Sequence, residues 1–221
     1  MAYILNIETS TKNCSVALAK NGEIVLCKEI AEIGFSHAEK LHVFLEELLK
    51  ETELSFKDIN AIAVSQGPGS YTGLRIGVSA AKGLCYALDI PLIAVDTMQI
   101  LANQVTVEEG IIIPMIDARR MEVFSAIFDK NHLKIRETKA EVLEEHSFAE
   151  NKELIYIVGD CAAKAKTVLI NDNFIFLEKN VYPSAKEMAT LSYELFKQNT
   201  FVDVAYFEPF YLKDFMLTQK S

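Results

Sequence analysis

The sequence has few of the features that mark redox, metal or membrane proteins. Its four cysteines, at positions 14, 27, 85 and 161, lie far apart and form no Cys-x-x-Cys pair, so neither a zinc knuckle nor a redox pair is expected. The longest apolar runs are far shorter than the roughly 20 residues of a membrane helix. Met1 and Ala2 lead directly into an apolar strand pattern, without the basic segment and cleavage site of a secretory signal. We therefore expect a cytoplasmic protein that does not contact a membrane.

Positive charge is also scarce. The 221 residues include 22 Lys and Arg against 31 Asp and Glu, which gives a net charge of −9, and no basic run is longer than the pair Arg119-Arg120. Proteins that bind nucleic acid unaided need clustered Lys and Arg for the phosphates. The composition therefore argues against nucleic-acid binding by this chain alone.

The sequence provides no candidate metal site and no candidate group of catalytic residues. His37 and His42 are five residues apart on a predicted helix, which places them about 140° from each other rather than on one face. The other histidines, His132 and His146, lie in the second half of the chain. We predict no metal ligand and no catalytic residue.

The order of predicted strands and helices repeats along the chain. An apolar strand, an acidic loop, a second strand, a turn with asparagine and a third strand occur twice, at an offset of about 110 residues. Strands that alternate with helices in each half predict an α/β fold of two mixed sheets covered by helices. We place the lobes at residues 1–104 and 105–221, with the last segment packing back on the first lobe. The predicted strands are 3–8, 14–19, 23–30, 59–64, 92–95, 111–116, 122–128, 133–139, 154–158 and 174–177.

Helices are predicted between these strands. Ser36 and Glu39 have the spacing of a capping box, so a helix begins at about His37 and continues to Lys50. A second helix covers 72–88, and further helices are predicted at 98–105, 162–169 and 184–198.

A glycine-rich turn precedes the helix at 72–88, but it fits none of three common motifs. Leu74 follows Gly73 where a phosphate-binding P-loop needs lysine, and the glycine spacing misses the dinucleotide fingerprint by one position. Ser70 lacks the flanking glycines of a nucleophile elbow. Neither a P-loop nor a hydrolase function is predicted from this turn.

Small residues recur every four positions along the same helix. Gly73, Gly77 and Ala81 share one helix face, which is therefore nearly free of side chains and suits close approach of another backbone. That backbone belongs either to a partner or to the chain's own fold. Arg75 lies near the positive end of the helix dipole, so its side chain either meets an acidic partner or extends into solvent.

The repeated acidic loops are candidates for a nucleotide site between the lobes. Glu8 and Ser10 lie in the first loop, Asp117 in the second, and Gly159 precedes a later helix. The second loop contains two arginines and no glycine, whereas a backbone cradle for phosphate needs glycine. We interpret the segments that contain Glu8, Ser10, Asp117 and Gly159 as degenerate nucleotide loops.

Several of these segments together resemble the TsaB (YeaZ) family. They are Ile4–Ser10, Gly67–Gly77 with its Arg75, the Asp-Ala-Arg-Arg run that begins at Asp117, and the Pro209-x-Tyr211-Leu212 tail. The resemblance covers the whole chain. Glu8 stands where many members have aspartate, and Lys213 where an arginine is common.

The resemblance implies the two-lobed fold of the actin, hexokinase and Hsp70 group of ATPases. It also implies a non-catalytic partner of TsaD, needed to form N6-threonylcarbamoyladenosine at position 37 of tRNAs that read codons beginning with A. TsaE and the threonylcarbamoyl-adenylate made by TsaC act with them. No cofactor is expected here, because ATP and metal belong to the partners, and tRNA is met only through the complex. The alternatives are a stand-alone ATPase or kinase and, less favoured, a glycoprotease-type peptidase.

The resemblance further implies a pairing surface made by helices 37–50 and 72–88, which also allows a homodimer of the isolated chain. The residues assigned to this surface are His37, Leu41, Gly73, Leu74, Arg75, Gly77, Ala80 and Ala81.

Overall fold

The computed structural model describes residues 1–31, 37–179 and 181–212, which form two five-stranded mixed sheets with helices. The first sheet has the order β3-β2-β1-β4-β5, and the second has the order β10-β9-β6-β7-β8. The strands are β1 Tyr3–Glu8, β2 Cys14–Lys20, β3 Glu23–Ile30, β4 Ala61–Ser65, β5 Leu92–Val95, β6 Ile111–Asp117, β7 Glu122–Asp129, β8 Lys134–Val142, β9 Ile155–Val158 and β10 Phe174–Leu177. The helices are α1 His37–Glu51, α2 Tyr71–Leu88, α3 Thr97–Ala102, α4 Ala162–Ala165 and α5 Met188–Lys197, with a short 3-10 helix at Phe56–Asp58.

The two sheets share one topology. In each sheet, three strands that are consecutive in the sequence pair antiparallel. The first of these three also pairs with a parallel strand, which in turn pairs with a second parallel strand. Parallel pairing requires a crossover connection, and α2 supplies the one between β4 and β5. The predicted α/β fold with two similar lobes is confirmed.

The first sheet is covered by helices on both faces. α1 and α2 pack on one face, where Leu45 and Val78 join the core that includes Leu5 and Ile7 of β1. Met188 of α5 packs on the opposite face. Because both faces are covered, β1, β2 and β4 are buried almost throughout, as their apolar sequences require.

The segment that follows the second sheet returns to the first. The backbone N–H of Val202 donates to Leu92 O at 3.0 Å, and the N–H of Phe210 donates to Gln66 O at 2.7 Å. The C-terminal segment, which we define as residues 181–212, therefore lies against the first sheet. The lobe boundary at 104/105 stays a prediction.

Three helices are shorter than predicted, and the one predicted at 98–105 spans Thr97–Ala102. The last helix begins at Met188 rather than at residue 184, because the N–H of Ala185 donates to Ser15 Oγ at 3.0 Å and Ser184 Oγ donates to Glu29 Oε2 at 2.6 Å. These contacts hold the chain in a turn before the helix. The helix predicted at 162–169 ends at Ala165. The capping box at Ser36 lies outside the described residues.

Within those described ranges, none of the helices has the length and apolar character that a membrane crossing needs.

Candidate functional site

The small-residue face of α2 lies inside the protein. A Cβ on Gly73 would come closer than 3.0 Å to Thr9 O, and one on Gly77 would come equally close to Thr9 Oγ1. Thr9 Oγ1 also donates a hydrogen bond to Gly73 O at 2.8 Å. The backbone for which this face is shaped is therefore the chain's own β1–β2 loop.

Most of the predicted docking residues are unavailable to a partner for the same reason. Leu41, Leu74 and Ala81 are at most 1% exposed and pack inward with the two glycines. The prediction that Leu41, Gly73, Leu74, Gly77 and Ala81 form an interface is wrong, because helix spacing identified a close-packed face without showing what packs on it.

The other predicted docking residues are more accessible. Arg75 is exposed, whereas His37 and Ala80 are half-buried. His37 Nε2 lies 2.8 Å from Thr11 O, so this side chain also holds the β1–β2 loop. A docking role for these three residues stays a prediction.

The solvent-facing side of α2 presents a different set of residues. Ser79 and Gly83 are exposed, a Cβ on Gly83 would meet nothing within 4 Å, and Tyr86 is 86% exposed. On α1, Val43 is 42% exposed. Gly83 lies six residues after Gly77, about 240° around the helix, and this spacing could have shown that it belongs to another face. We define the outer face of α1 and α2 by Val43, Ser79, Gly83 and Tyr86.

Arg75 ties α2 to the C-terminal segment. Its guanidinium carbon lies 4.0 Å from the centroid of the Tyr71 ring, and its Nε donates to Tyr211 Oη at 3.2 Å. The two tyrosine rings are 5.0 Å apart. Lys82, two turns further along α2, donates to Ala205 O and Phe207 O. Arg75 therefore has a partner within its own chain.

The first degenerate nucleotide loop is closed. Glu8 and Ser10 are fully buried, and the N–H of Ser70 donates to Ser10 O at 2.6 Å. A Cβ on Gly69 would come closer than 3.0 Å to Ser10 O, so the glycine turn lies directly on this loop. The residues do not fit a nucleotide, because the start of α2 occupies the space above the loop.

Closure of the loop changes the chemistry of Glu8. Burial raises the pKa of its carboxyl to about 7, although the N–H of Ser10 donates to Oε1 at 2.5 Å. Hydrogen bonding by the Ser10 and Ser65 side chains lowers the pKa by less than burial raises it, and Oε2 has no partner of regular hydrogen-bond geometry in the described part of the chain. The carboxyl of Glu8 therefore titrates near physiological pH instead of being fully ionised there.

The second degenerate loop is exposed but is held by ionic contacts. Lys164 Nζ lies 2.5 Å from Asp117 Oδ1, and the N–H of Asp117 donates to Asp160 Oδ1 at 2.8 Å. Gly159 has φ +121°, and a Cβ there would come closer than 3.0 Å to Met115 O, so this glycine serves packing. Asp117 is engaged by Lys164 rather than left open for a metal ion.

Among residues 1–31, 37–179 and 181–212, no three His, Cys, Asp or Glu side chains are grouped as metal ligands would be. All four cysteines are free thiols, and burial raises the pKa of Cys14 to about 11 and that of Cys85 to about 12. These thiols stay protonated and are poor nucleophiles or ligands. The expectation that this chain carries no cofactor or metal stays a prediction.

Comparisons with known proteins agree with this architecture. The family model of TsaD, tRNA N6-adenosine threonylcarbamoyltransferase, matches residues 31–217. The tRNA threonylcarbamoyladenosine biosynthesis protein TsaB of Buchnera aphidicola is 30% identical over 191 residues, which are 84% of this chain and 86% of that protein. The chain belongs to the TsaB family. TsaB of Escherichia coli K12 is 29% identical over 96% of this chain and 94% of its own length.

The structural comparison extends over the same range. YeaZ from Pseudomonas aeruginosa superposes with a TM-score of 0.84 and 26% identity, over 96% of this chain and all of that one. The predicted TsaB (YeaZ) membership is confirmed, as is the two-lobed, actin-like ATPase fold. Membership of the TsaB family places the chain among the proteins of tRNA threonylcarbamoyladenosine biosynthesis.

Proposed function

We propose that this chain is a non-catalytic partner of TsaD in the formation of threonylcarbamoyladenosine in tRNA. The closed first loop is the observation that carries the proposal. Ser70 and Gly69 lie on Ser10, so the chain keeps the two-lobed fold but has no room at that loop for a phosphate. The closed loop supports a role as a binding partner rather than as an ATPase.

The outer face of α1 and α2 is the surface that we assign to TsaD. It is well suited to helix packing, because Ser79 and Gly83 are small and a neighbouring helix can approach closely. Tyr86 adds a large, exposed aromatic side chain of the kind that often anchors interfaces. The same face allows a homodimer when TsaD is absent.

The remaining members of the proposed system are those that the resemblance to the TsaB family implies. TsaE joins the complex, and the threonylcarbamoyl group comes from an adenylate made by TsaC. ATP and metal are held by the partner proteins, and this chain meets tRNA within the complex. No observation on the described residues favours the stand-alone ATPase, kinase or peptidase alternatives.

The docking assignment is tested by Gly83→Lys. Because a side chain at Gly83 meets open space, lysine leaves the fold intact but projects from the centre of the proposed surface. Thr190→Lys is the matched control, since Thr190 is exposed on α5, across the sheet from α2. Co-elution with TsaD in size-exclusion chromatography should be lost for Gly83→Lys and kept for Thr190→Lys. Unchanged co-elution of a folded Gly83→Lys variant would show that TsaD docks elsewhere.

A further inference from the structure

The turn between β6 and β7 has an unusual backbone for its sequence. Arg119 has φ +73° and Arg120 has φ +52°, so two consecutive arginines occupy a region that non-glycine residues rarely adopt. Both side chains are exposed. Residues held in sparsely populated conformations cluster at functional sites, where the surrounding structure fixes them.

The surrounding structure does fix this turn. Lys164 Nζ donates to Arg120 O at 3.0 Å and to Glu122 O at 2.8 Å, and it also pairs with Asp117. The N–H of Glu122 donates to Arg119 O at 3.1 Å. Lys164 thus holds the backbone of the turn and pairs with Asp117.

A second turn in the same chain shows which residues consecutive positive φ angles usually favour. The β2–β3 hairpin turns at Asn21 and Gly22, which have φ +52° and +88°. Asn-Gly is the pair that such consecutive left-handed positions favour. The backbone conformation therefore does not explain why arginine occupies positions 119 and 120.

The charges around the turn indicate an anionic ligand. Across the described ranges, neither Arg119 nor Arg120 forms an ion pair or a side-chain hydrogen bond. Two adjacent guanidinium groups without a carboxylate partner among the described residues therefore lie at one exposed turn of a chain whose net charge is −9.

We propose that the Arg119-Arg120 turn binds phosphate groups of the tRNA backbone in the assembled complex. This inference rests on the proposed function. Guanidinium groups bind phosphate through paired hydrogen bonds, and such contacts position a protein on nucleic acid without reading its sequence. Two arginines supply few contacts, which agrees with a chain that needs TsaD in order to hold tRNA.

The test uses Arg119→Asn together with Arg120→Asn in the complete chain. Asparagine tolerates the left-handed conformation and removes both charges, so the variant keeps a Tm no lower than that of the unmodified protein. The binding of tRNA to the complex with TsaD is measured at several salt concentrations. We expect the affinity to fall on the order of tenfold, and the slope of log K against log salt to decrease by about 1 to 2.

The matched control is Lys57→Asn together with Lys130→Asn, which removes the same charge at two other exposed positions. It should leave both the affinity and the salt slope unchanged. An Arg119/Arg120 variant that binds tRNA as the unmodified protein does would overturn the inference and leave the proposed function standing.

Two further outcomes of these experiments also test the inference. A folded Arg119/Arg120 variant that no longer co-elutes with TsaD would show that the turn binds an acidic protein surface, which overturns RNA binding. Failure of the unmodified chain to co-elute with TsaD would overturn the proposed function and this inference together.

Discussion

Thr9 and Gly73 touch at the point where the β1–β2 loop meets the start of α2. Thr9 Oγ1 donates to Gly73 O at 2.8 Å, and a Cβ on Gly73 would come closer than 3.0 Å to Thr9 O. The same contact closes the phosphate loop of the fold and buries the small-residue face of the helix. Both features therefore depend on the same pair of residues.

Gly73→Ala should destabilise the protein, because the added methyl group meets backbone that cannot move aside. The expected loss is about 1–3 kcal/mol in the free energy of unfolding, the usual range for overpacking. Gly83→Ala is the matched control on the same helix and should stabilise by about 0.5–1 kcal/mol, since its methyl group meets open space. Urea unfolding of the two variants measures both values. Equal effects would contradict the packing described for Gly73.

Arg75→Ala should loosen the C-terminal segment. The substitution removes the hydrogen bond to Tyr211, which holds residues 203–212 near α2 together with the bonds from Lys82 to Ala205 O and Phe207 O. Chymotrypsin should then cleave after Phe207 or Phe210 faster than in the unmodified protein, as followed by intact mass. Ser79→Ala, on the same helix, should leave the rate unchanged. Equal cleavage rates for Arg75→Ala and the unmodified protein would show that Arg75 does not hold this segment.

The free energy of unfolding should depend on pH through Glu8. An ordinary glutamate has a pKa of 4.5, whereas burial raises that of Glu8 to about 7. Between these values the folded state keeps a proton that the unfolded state has released, so stability falls as the pH rises from about 4.5 to 7 and then levels off. The loss is on the order of 3 kcal/mol.

Glu8→Gln should flatten this dependence. Glutamine keeps an acceptor for the N–H of Ser10 and has no charge to bury, so at pH 8 the variant should be more stable than the unmodified protein. Glu187, whose pKa burial also raises to about 7, contributes a slope of the same sign, which the variant keeps. Denaturation with urea across pH 4 to 8 measures the change. Superimposable pH profiles for the variant and the unmodified protein would contradict the burial of an uncompensated carboxyl at Glu8.

Much of the fold could be predicted from local patterns. Short apolar runs bounded by turns and polar loops predicted β1, β3, β5 and β10 with their correct bounds, and the repeated strand–loop–strand order predicted the two similar sheets. The spacing of Gly73 and Gly77 correctly predicted that a backbone approaches the helix closely.

The identity of that backbone could not be predicted. Thr9 is 64 residues from Gly73, and helix periodicity specifies which residues share a face without specifying what covers it. The left-handed backbone of Arg119 and Arg120 could not be predicted from the sequence either, because nothing in an Asp-Ala-Arg-Arg run requires positive φ. The rule that such turns favour glycine or asparagine would have argued against it.

The central claim, that this chain enables TsaD without performing chemistry, is tested by reconstitution. TsaD, TsaE, tRNA, ATP and threonylcarbamoyl-adenylate are combined with or without the complete chain, and threonylcarbamoyladenosine is quantified by chromatography of the digested tRNA. The account predicts product only when the chain is present, and much less with Gly83→Lys than with Thr190→Lys. Equal product without the chain, or product from the chain and ATP in the absence of TsaD, would contradict it.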